Sequence, residues 1–163
     1  MTKGTVDELL REERTLIMGI LNVTPDSFSD GGEFLSPQLA VDRAFQMVEE
    51  GADILDIGGE SSRPGAEPIP AAQEMERLLP VIEELAPVIS VPISVDTYKS
   101  SVAEACLERG STIINDISAL RFDECMADVA ERFNAYVVLM HLKGTPNDMH
   151  RAPDYGDVTG ELK

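Results

Sequence analysis

The sequence predicts an α/β fold, a parallel sheet with covering helices that closes as a (β/α)8 barrel. Three observations carry that reading. Short apolar runs of strand length alternate with longer stretches whose apolar residues recur at helical spacing. The strand, loop and helix unit repeats about four and a half times along the 163 residues. Each apolar run ends on a polar residue and then a loop, the pattern by which a barrel builds a site at the C-terminal face of its strands. A doubly wound open sheet is the competing closure, and the G-x-G-x-x-G loop that would favour it after the first strand is absent.

Residues 1–14 are charged and read as a frayed lead-in, so the domain is taken as 15–163. Residues 16–21 (LIMGIL) form an unbroken apolar run, the pattern of a strand buried on both faces, and they end at Asn22. A polar loop follows to Gly32, with the aromatic Phe28 inside it. Ser36-Pro37 is an N-cap with proline at the first helical position, and Leu39, Ala40, Ala44, Met47 and Val48 continue at helical spacing to Gly51. Residues 52–57 (ADILDI) are the second strand, followed by the loop GGESSRPGA. A helix is predicted over about 71–86, and a third strand over 91–95 that ends at Asp96. The next helix covers 98–109 and stops at Gly110. The fourth strand, 112–114, ends at Asn115, and a helix over 122–133 follows. The fifth strand, 136–140, ends at His141, and residues 154–163 open a further helix.

A complete barrel of this kind needs about 250 residues. The expectation is therefore strands 1–5 only, in a domain truncated at its C-terminus. Two open sheet edges and a half-covered interior would follow, and with them self-association, as a homodimer or larger.

Composition narrows the function. A net charge of −17 argues against a nucleic-acid partner. An anionic small substrate would need a local cation, an arginine or helix N-termini. The apolar runs are too short to span a bilayer and no basic-then-apolar leader opens the chain, so the expectation is a cytoplasmic protein with no membrane partner. Lysines number four (Lys3, Lys99, Lys143, Lys163) among 13 basic residues, the balance of a salt-rich setting. Cys106 and Cys125 lie in helix-like segments and read as unpaired thiols. His141 and His150 stand nine residues apart across a proline-containing loop and match no standard zinc spacing.

Five segments, in order, carry a resemblance. They are IMGILNVTPDSFSDGG (17–32), GADILDIGGESSRPG (51–65), ISVDTYK (93–99) with GSTIINDI (110–117), and LMHLKGTPNDM (139–149). This set resembles the dihydropteroate synthases, folate-pathway enzymes whose fold is the TIM barrel of the pterin-binding type. The resemblance implies joining a dihydropterin methyl diphosphate to 4-aminobenzoate with release of diphosphate, a Mg2+ ion, and inhibition by sulfonamides. Small-molecule substrates are then the partners.

It also implies roles, each of which suits the chemistry of the residue. Asp96 is expected to accept two N–H bonds from the amino-pyrimidine edge of the pterin; the alternative is an N-cap for the next helix. Asn115 offers a donor and an acceptor to the same edge, against a plain turn residue. Met140 packs against the pterin face or fills core. Asn22 supplies a hard amide oxygen to Mg2+ beside the diphosphate. Ser62, in place of the family's usual threonine, and Arg63 hold the diphosphate or the aminobenzoate carboxylate. Phe28 and Pro64 wall the aminobenzoate ring. Arg63 and Asn22 are the residues expected to act in catalysis. From their own positions, at and just after the second strand, Asp56 and Glu60 are expected to orient loop residues by hydrogen bonding, without a direct catalytic role, and Asp116 to be structural.

The family's later strands carry an Asp, a Lys and an Arg-x-His for which these residues offer no match, so the 163-residue chain alone is expected to show little turnover. Two alternatives stand beside this reading. One is a non-catalytic pterin-binding fragment or assembly partner. The other is a methyltetrahydrofolate–corrinoid methyltransferase, disfavoured by the loops TPDSFSDGG and SRPG.

Overall fold

A computed structural model describes residues 5–24, 37–61, 67–141 and 155–161. Its elements are α1 (Val6–Leu9), β1 (Met18–Asn22), α2 (Pro37–Glu49), β2 (Ile54–Gly58), α3 (Ala71–Leu85), β3 (Ile93–Asp96), α4 (Ser100–Leu107), β4 (Ile113–Asp116), α5 (Met126–Arg132), β5 (Tyr136–Leu139) and α6 (Val158–Glu161). The strands form one five-stranded sheet in the order β1-β2-β3-β4-β5. All neighbours pair in parallel. A doubly wound sheet would reverse its strand order at a switch point. This one runs in a single direction, as an arc of a barrel does.

One face of the arc carries the core. Leu21, Ile57, Val95 and Ile114 lie in register across β1 to β4, each at most 1% exposed. The first three pack on Ala40, Val41 and Ala44 of α2, on Leu78, Val81, Ile82 and Leu85 of α3, and on Val102 and Cys106 of α4. Ile114 joins a second cluster with Ala103 and Leu107 of α4 and with Met126, Val129 and Ala130 of α5. The helices thus cover one side, and alternation sends every second strand residue to the other.

That other face departs from the sequence prediction. The first strand is not buried on both faces, since Ile20 is 59% exposed, and at the other end of the sheet Val138 is 41% exposed. The central strands keep their inner face buried, for Asp56, Ser94 and Ile113, in register with Ile20, are each at most 2% exposed.

The lead-in predicted as frayed contains a turn of helix. Thr5 and Glu8 form a capping box, the Thr5 hydroxyl accepting from the Glu8 amide at 3.3 Å and the Glu8 carboxylate from the Thr5 amide at 2.9 Å. The T-x-x-E signal for it stands in the sequence. Gly51 and Gly110 end their helices at φ of 108° and 103°, as their sequence positions predict.

Two helices start later than periodicity suggests, for side-chain reasons. The α4 helix begins at Ser100, whose amide donates to the Asp123 carboxylate from a distant loop at 2.7 Å. The α5 helix begins at Met126 because Asp116 holds a turn ahead of it. Its carboxylate accepts from the amides of Ser118 at 2.7 Å and Leu120 at 2.8 Å. Ala119 and Leu120 adopt φ of 53° and 64° there. Both cysteines are free, Cys106 buried and Cys125 exposed just ahead of α5. Among the described residues no helix is long and apolar enough to cross a membrane.

Candidate functional site

Parallel pairing brings the polar strand ends into one row. Asn22 of β1 pairs in register with Gly58 of β2, Gly58 with Asp96 of β3, and Asp96 with Asn115 of β4. Residues in register on neighbouring strands point to the same side. Here that side is the inner face, at the C-terminal edge of the sheet.

Gly58 leaves the row open in the middle. A Cβ placed on it would lie 3.4 Å from Asp96 Oδ2 and 3.5 Å from Asn22 Oδ1. The two side chains therefore lean over a gap that glycine keeps clear. Asn22 is exposed, and Asp96 and Asn115 are half-buried. Such a strip accommodates a flat ligand edge on the Asp96 and Asn115 side and leaves the Asn22 end open to solvent.

Asp96 is electrostatically unusual. Burial, and after it the charges of Asp56, Glu74, Glu60 and Asp116, push its carboxyl up to about 7. The sequence reading assigned it a simple ionised carboxylate. In the ligand-free chain it titrates near neutrality, because the fold gathers acids around it and buries it. The helix-capping alternative does not hold: α4 starts at Ser100 and the residue ahead of it, Lys99, makes no side-chain cap.

Beneath the row lies Asp56 of β2, 2% exposed. Its Oδ1 accepts from Ser94 Oγ at 2.6 Å and its Oδ2 from Asn115 Nδ2 at 2.9 Å. Beside the row lies an ion cluster. Lys99 Nζ stands 2.6 Å from Glu60 Oε2 and 2.5 Å from Glu74 Oε2. Glu60 also accepts from the Tyr98 hydroxyl and, at 3.0 Å, from the amide of Ile69. Burial raises the Glu60 carboxyl, but the bonds from Lys99, Tyr98 and Ile69 outweigh it and hold the group below its ordinary value. Glu60 thereby ties the end of β2 to the approach of α3.

Of the residues singled out in the sequence, the structure brings Asn22, Asp96 and Asn115 together. Met140 is half-buried beyond β5, its amide donating to the Asp116 carbonyl at 3.2 Å. Phe28, Ser62, Arg63, Pro64 and His150 lie outside the described residues. His141 pairs with the Tyr155 hydroxyl at 2.9 Å. Ser94, Lys99 and Glu74 escaped the sequence reading. A signal for Glu74 was present: it falls in helical register with Leu78, Val81, Ile82 and Leu85, a carboxylate on a buried stripe.

The adjacent glycines are expected to respond differently to a methyl group. Gly58→Ala makes ordinary van der Waals contacts and should unfold in urea within about 1 kcal/mol of wild type. It fills the gap, so affinity for a ligand edge seated in the row should fall at least about tenfold, a misfit of roughly 1.4 kcal/mol. A Cβ on Gly59 would sit 2.9 Å from Leu78 Cγ and 3.2 Å from the Glu74 carbonyl oxygen, so Gly59→Ala should cost about 1–3 kcal/mol in the same urea experiment. Equal losses in both variants would sink the assignment of the gap to a ligand.

Comparison with known proteins adds three findings. The family profile described as pterin binding enzyme matches residues 18–163. The dihydropteroate synthase of Synechocystis sp. is 47% identical over 151 residues, which cover 93% of this chain and 52% of that protein. That of Bacillus subtilis is 52% identical over 143 residues, 88% of this chain and 50% of its own length. In structure, Xanthomonas albilineans dihydropteroate synthase with 4-aminobenzoic acid aligns at a TM-score of 0.81 and 47% identity, over 92% of this chain and 52% of that one. The chain spans about half the length of the curated relatives it matches.

Proposed function

The chain belongs to the pterin binding enzyme family, with the parallel arc of that family's TIM barrel, and on that premise we propose that it supplies the pterin and diphosphate part of a dihydropteroate synthase site, with little turnover of its own. The reaction forms a C–N bond between the methylene carbon of a dihydropterin methyl diphosphate and the amine of 4-aminobenzoate. The C–O bond to diphosphate breaks, its electron pair leaves with the diphosphate oxygen, and the amine nitrogen gives up a proton.

The observation that carries the proposal is the row of Asn22, Gly58, Asp96 and Asn115 at the strand ends. Asp96 accepts the N–H groups of the pterin's amino-pyrimidine edge, and Asn115 adds a donor and an acceptor beside it. Contact with N–H donors favours the ionised form of Asp96, so binding draws its proton off. Met140 packs against the pterin face.

Asn22 marks the diphosphate end. Its exposed amide oxygen is a hard, neutral ligand that fits a Mg2+ ion retaining waters and substrate phosphate oxygens. When bound, such an ion neutralises charge on the departing diphosphate. Ser62 and Arg63 complete the anion contacts, and Phe28 and Pro64 flank the aminobenzoate ring. Asn22 and Arg63 are the catalytic residues of this reading.

Calorimetric titration with a pterin, and chromatographic detection of dihydropteroate from the two substrates, test it. Binding in the Asp96 and Asn115 part of the row is expected, with both substitutions to alanine abolishing it. A chain that binds no pterin, or binds it equally well without those side chains, would refute the assignment.

A further inference from the structure

Asp56 takes no direct part in the reaction above, yet the fold spends an expensive position on it. It is buried on the inner face of β2, one layer below the row, in register with Ser94. No cation forms a salt bridge with it among the described residues. A carboxylate held by two neutral donors and no counter-ion is costly to bury, and a plain core would use an apolar residue.

Its two partners show what it does. Ser94 Oγ donates to one oxygen and Asn115 Nδ2 to the other, each in a single well-formed bond. A carboxylate accepts and has no proton to give. An amide next to it has therefore one stable orientation, with nitrogen toward the acid and oxygen away. In Asn115 that turns Oδ1 and the second N–H away from Asp56, and by strand register the residue shares its row with Asp96. Ser94 occupies the other Asp56 oxygen, which keeps the carboxylate plane from swinging.

Resting on the pterin-binding reading, we propose that Asp56 is a positioning residue that fixes the Asn115 amide in one donor–acceptor order and so selects which isomer of the heterocycle the site accepts. An asparagine at position 56 presents both a donor and an acceptor. Asn115 is then free to turn over, and the order it shows to the ligand reverses. A pterin and isopterin, its isomer with the amino and oxo groups exchanged, differ in that order and in little else.

The test pairs a binding ratio with a ligand-free signal. Affinities for pterin and isopterin are measured by calorimetry on the whole chain, wild type against Asp56→Asn, with Asp56→Ser as a second variant should the first fold poorly. The side-chain amide resonances of Asn115 are followed by NMR in the same samples. The expected result is a preference for pterin that falls at least about tenfold on substitution, with an upfield move of the Asn115 amide proton that had faced the acid. Ser94→Ala keeps the acceptor-only partner and is expected to keep the preference. An unchanged ratio together with unmoved Asn115 resonances overturns the proposal. If wild type binds neither isomer but the Asn115 resonance still moves in Asp56→Asn, the positioning of Asn115 stands and the pterin reading is what fails.

Discussion

Replacing Asp96 with asparagine is expected to stabilise the ligand-free chain and, on the proposed function, to destroy its affinity for a pterin. Both effects come from the same carboxyl, raised to about 7 by burial and by the surrounding acids. The unfolded chain ionises this group near its ordinary 3.8. Between those values the folded state keeps a proton that the unfolded state has lost, so stability falls as pH rises from about 4 to 7. Above 7 the cost is complete, roughly 2–4 kcal/mol after allowance for partial exposure. Asparagine cannot ionise, so Asp96→Asn should gain on the order of 2 kcal/mol at pH 8 and almost nothing at pH 4. Urea titrations at the two pH values measure this, and equal effects at both would contradict the account. The binding loss is larger. An acceptor for two N–H groups becomes a half-donor, removing charge-assisted bonds worth about 1.5–3 kcal/mol each, or about 10²–10⁴ in Kd. Wild-type affinity should rise between pH 6 and 8 as Asp96 ionises, whereas the variant's weak binding should be flat across that range. The trade of stability for a strained group is what a binding site shows and a structural core does not.

Substituting Lys99 by methionine is expected to cost as much stability as emptying a core position. Lys99 Nζ joins Glu60 and Glu74, and the Glu74 side chain is 1% exposed. The second Glu74 oxygen, Oε1, is buried and has no protein partner. Removing the cation leaves two carboxylates facing each other with one of them out of water, a loss of about 3–5 kcal/mol. Without the Lys99 bond, the burial that raises the Glu60 carboxyl is opposed less, so that group takes up a proton more readily in the folded state. The variant should therefore regain stability as pH falls from 8 to 5, more steeply than wild type. Changing Glu74 to methionine in the same chain should restore most of the loss, since an apolar pair replaces an ion pair at little net cost. A loss below about 1 kcal/mol in urea would place the cluster with ordinary surface ion pairs. Pterin affinity in Lys99→Met should fall less than stability does, because Lys99 lies beside the row and not in it.

Much of this site was legible in the chain. Asn22, Asp96 and Asn115 each end an apolar run, and a strand's last residue is a local property that periodicity reveals. Asp116 as a structural residue was legible too, since an acid just after a strand commonly folds its own turn. The same reasoning failed where a partner came from far away. The start of α4 depends on Asp123, 23 residues on, and no window around Ser100 contains that information. The apolar run 16–21 predicts double burial because such runs report hydrophobicity and not what covers it; β1 is the edge strand, and its inner-face Ile20 is exposed where Asp56 and Ser94 beside it are not.

A parallel α/β arc with polar residues at its strand ends, and the family those residues resemble, are readable from the chain alone. Local periodicity and short motifs suffice for that, because they depend on neighbours along the chain. Folding is what puts Asn22, Gly58, Asp96 and Asn115 in one row, leaves a glycine in the gap between Asn22 and Asp96, and bonds Asp56 to Asn115 across 59 residues. It alone decided that Asp96 titrates near neutrality. Strand register and burial arise from packing, and a charge's surroundings are set by residues distant in sequence, so no local pattern encodes them.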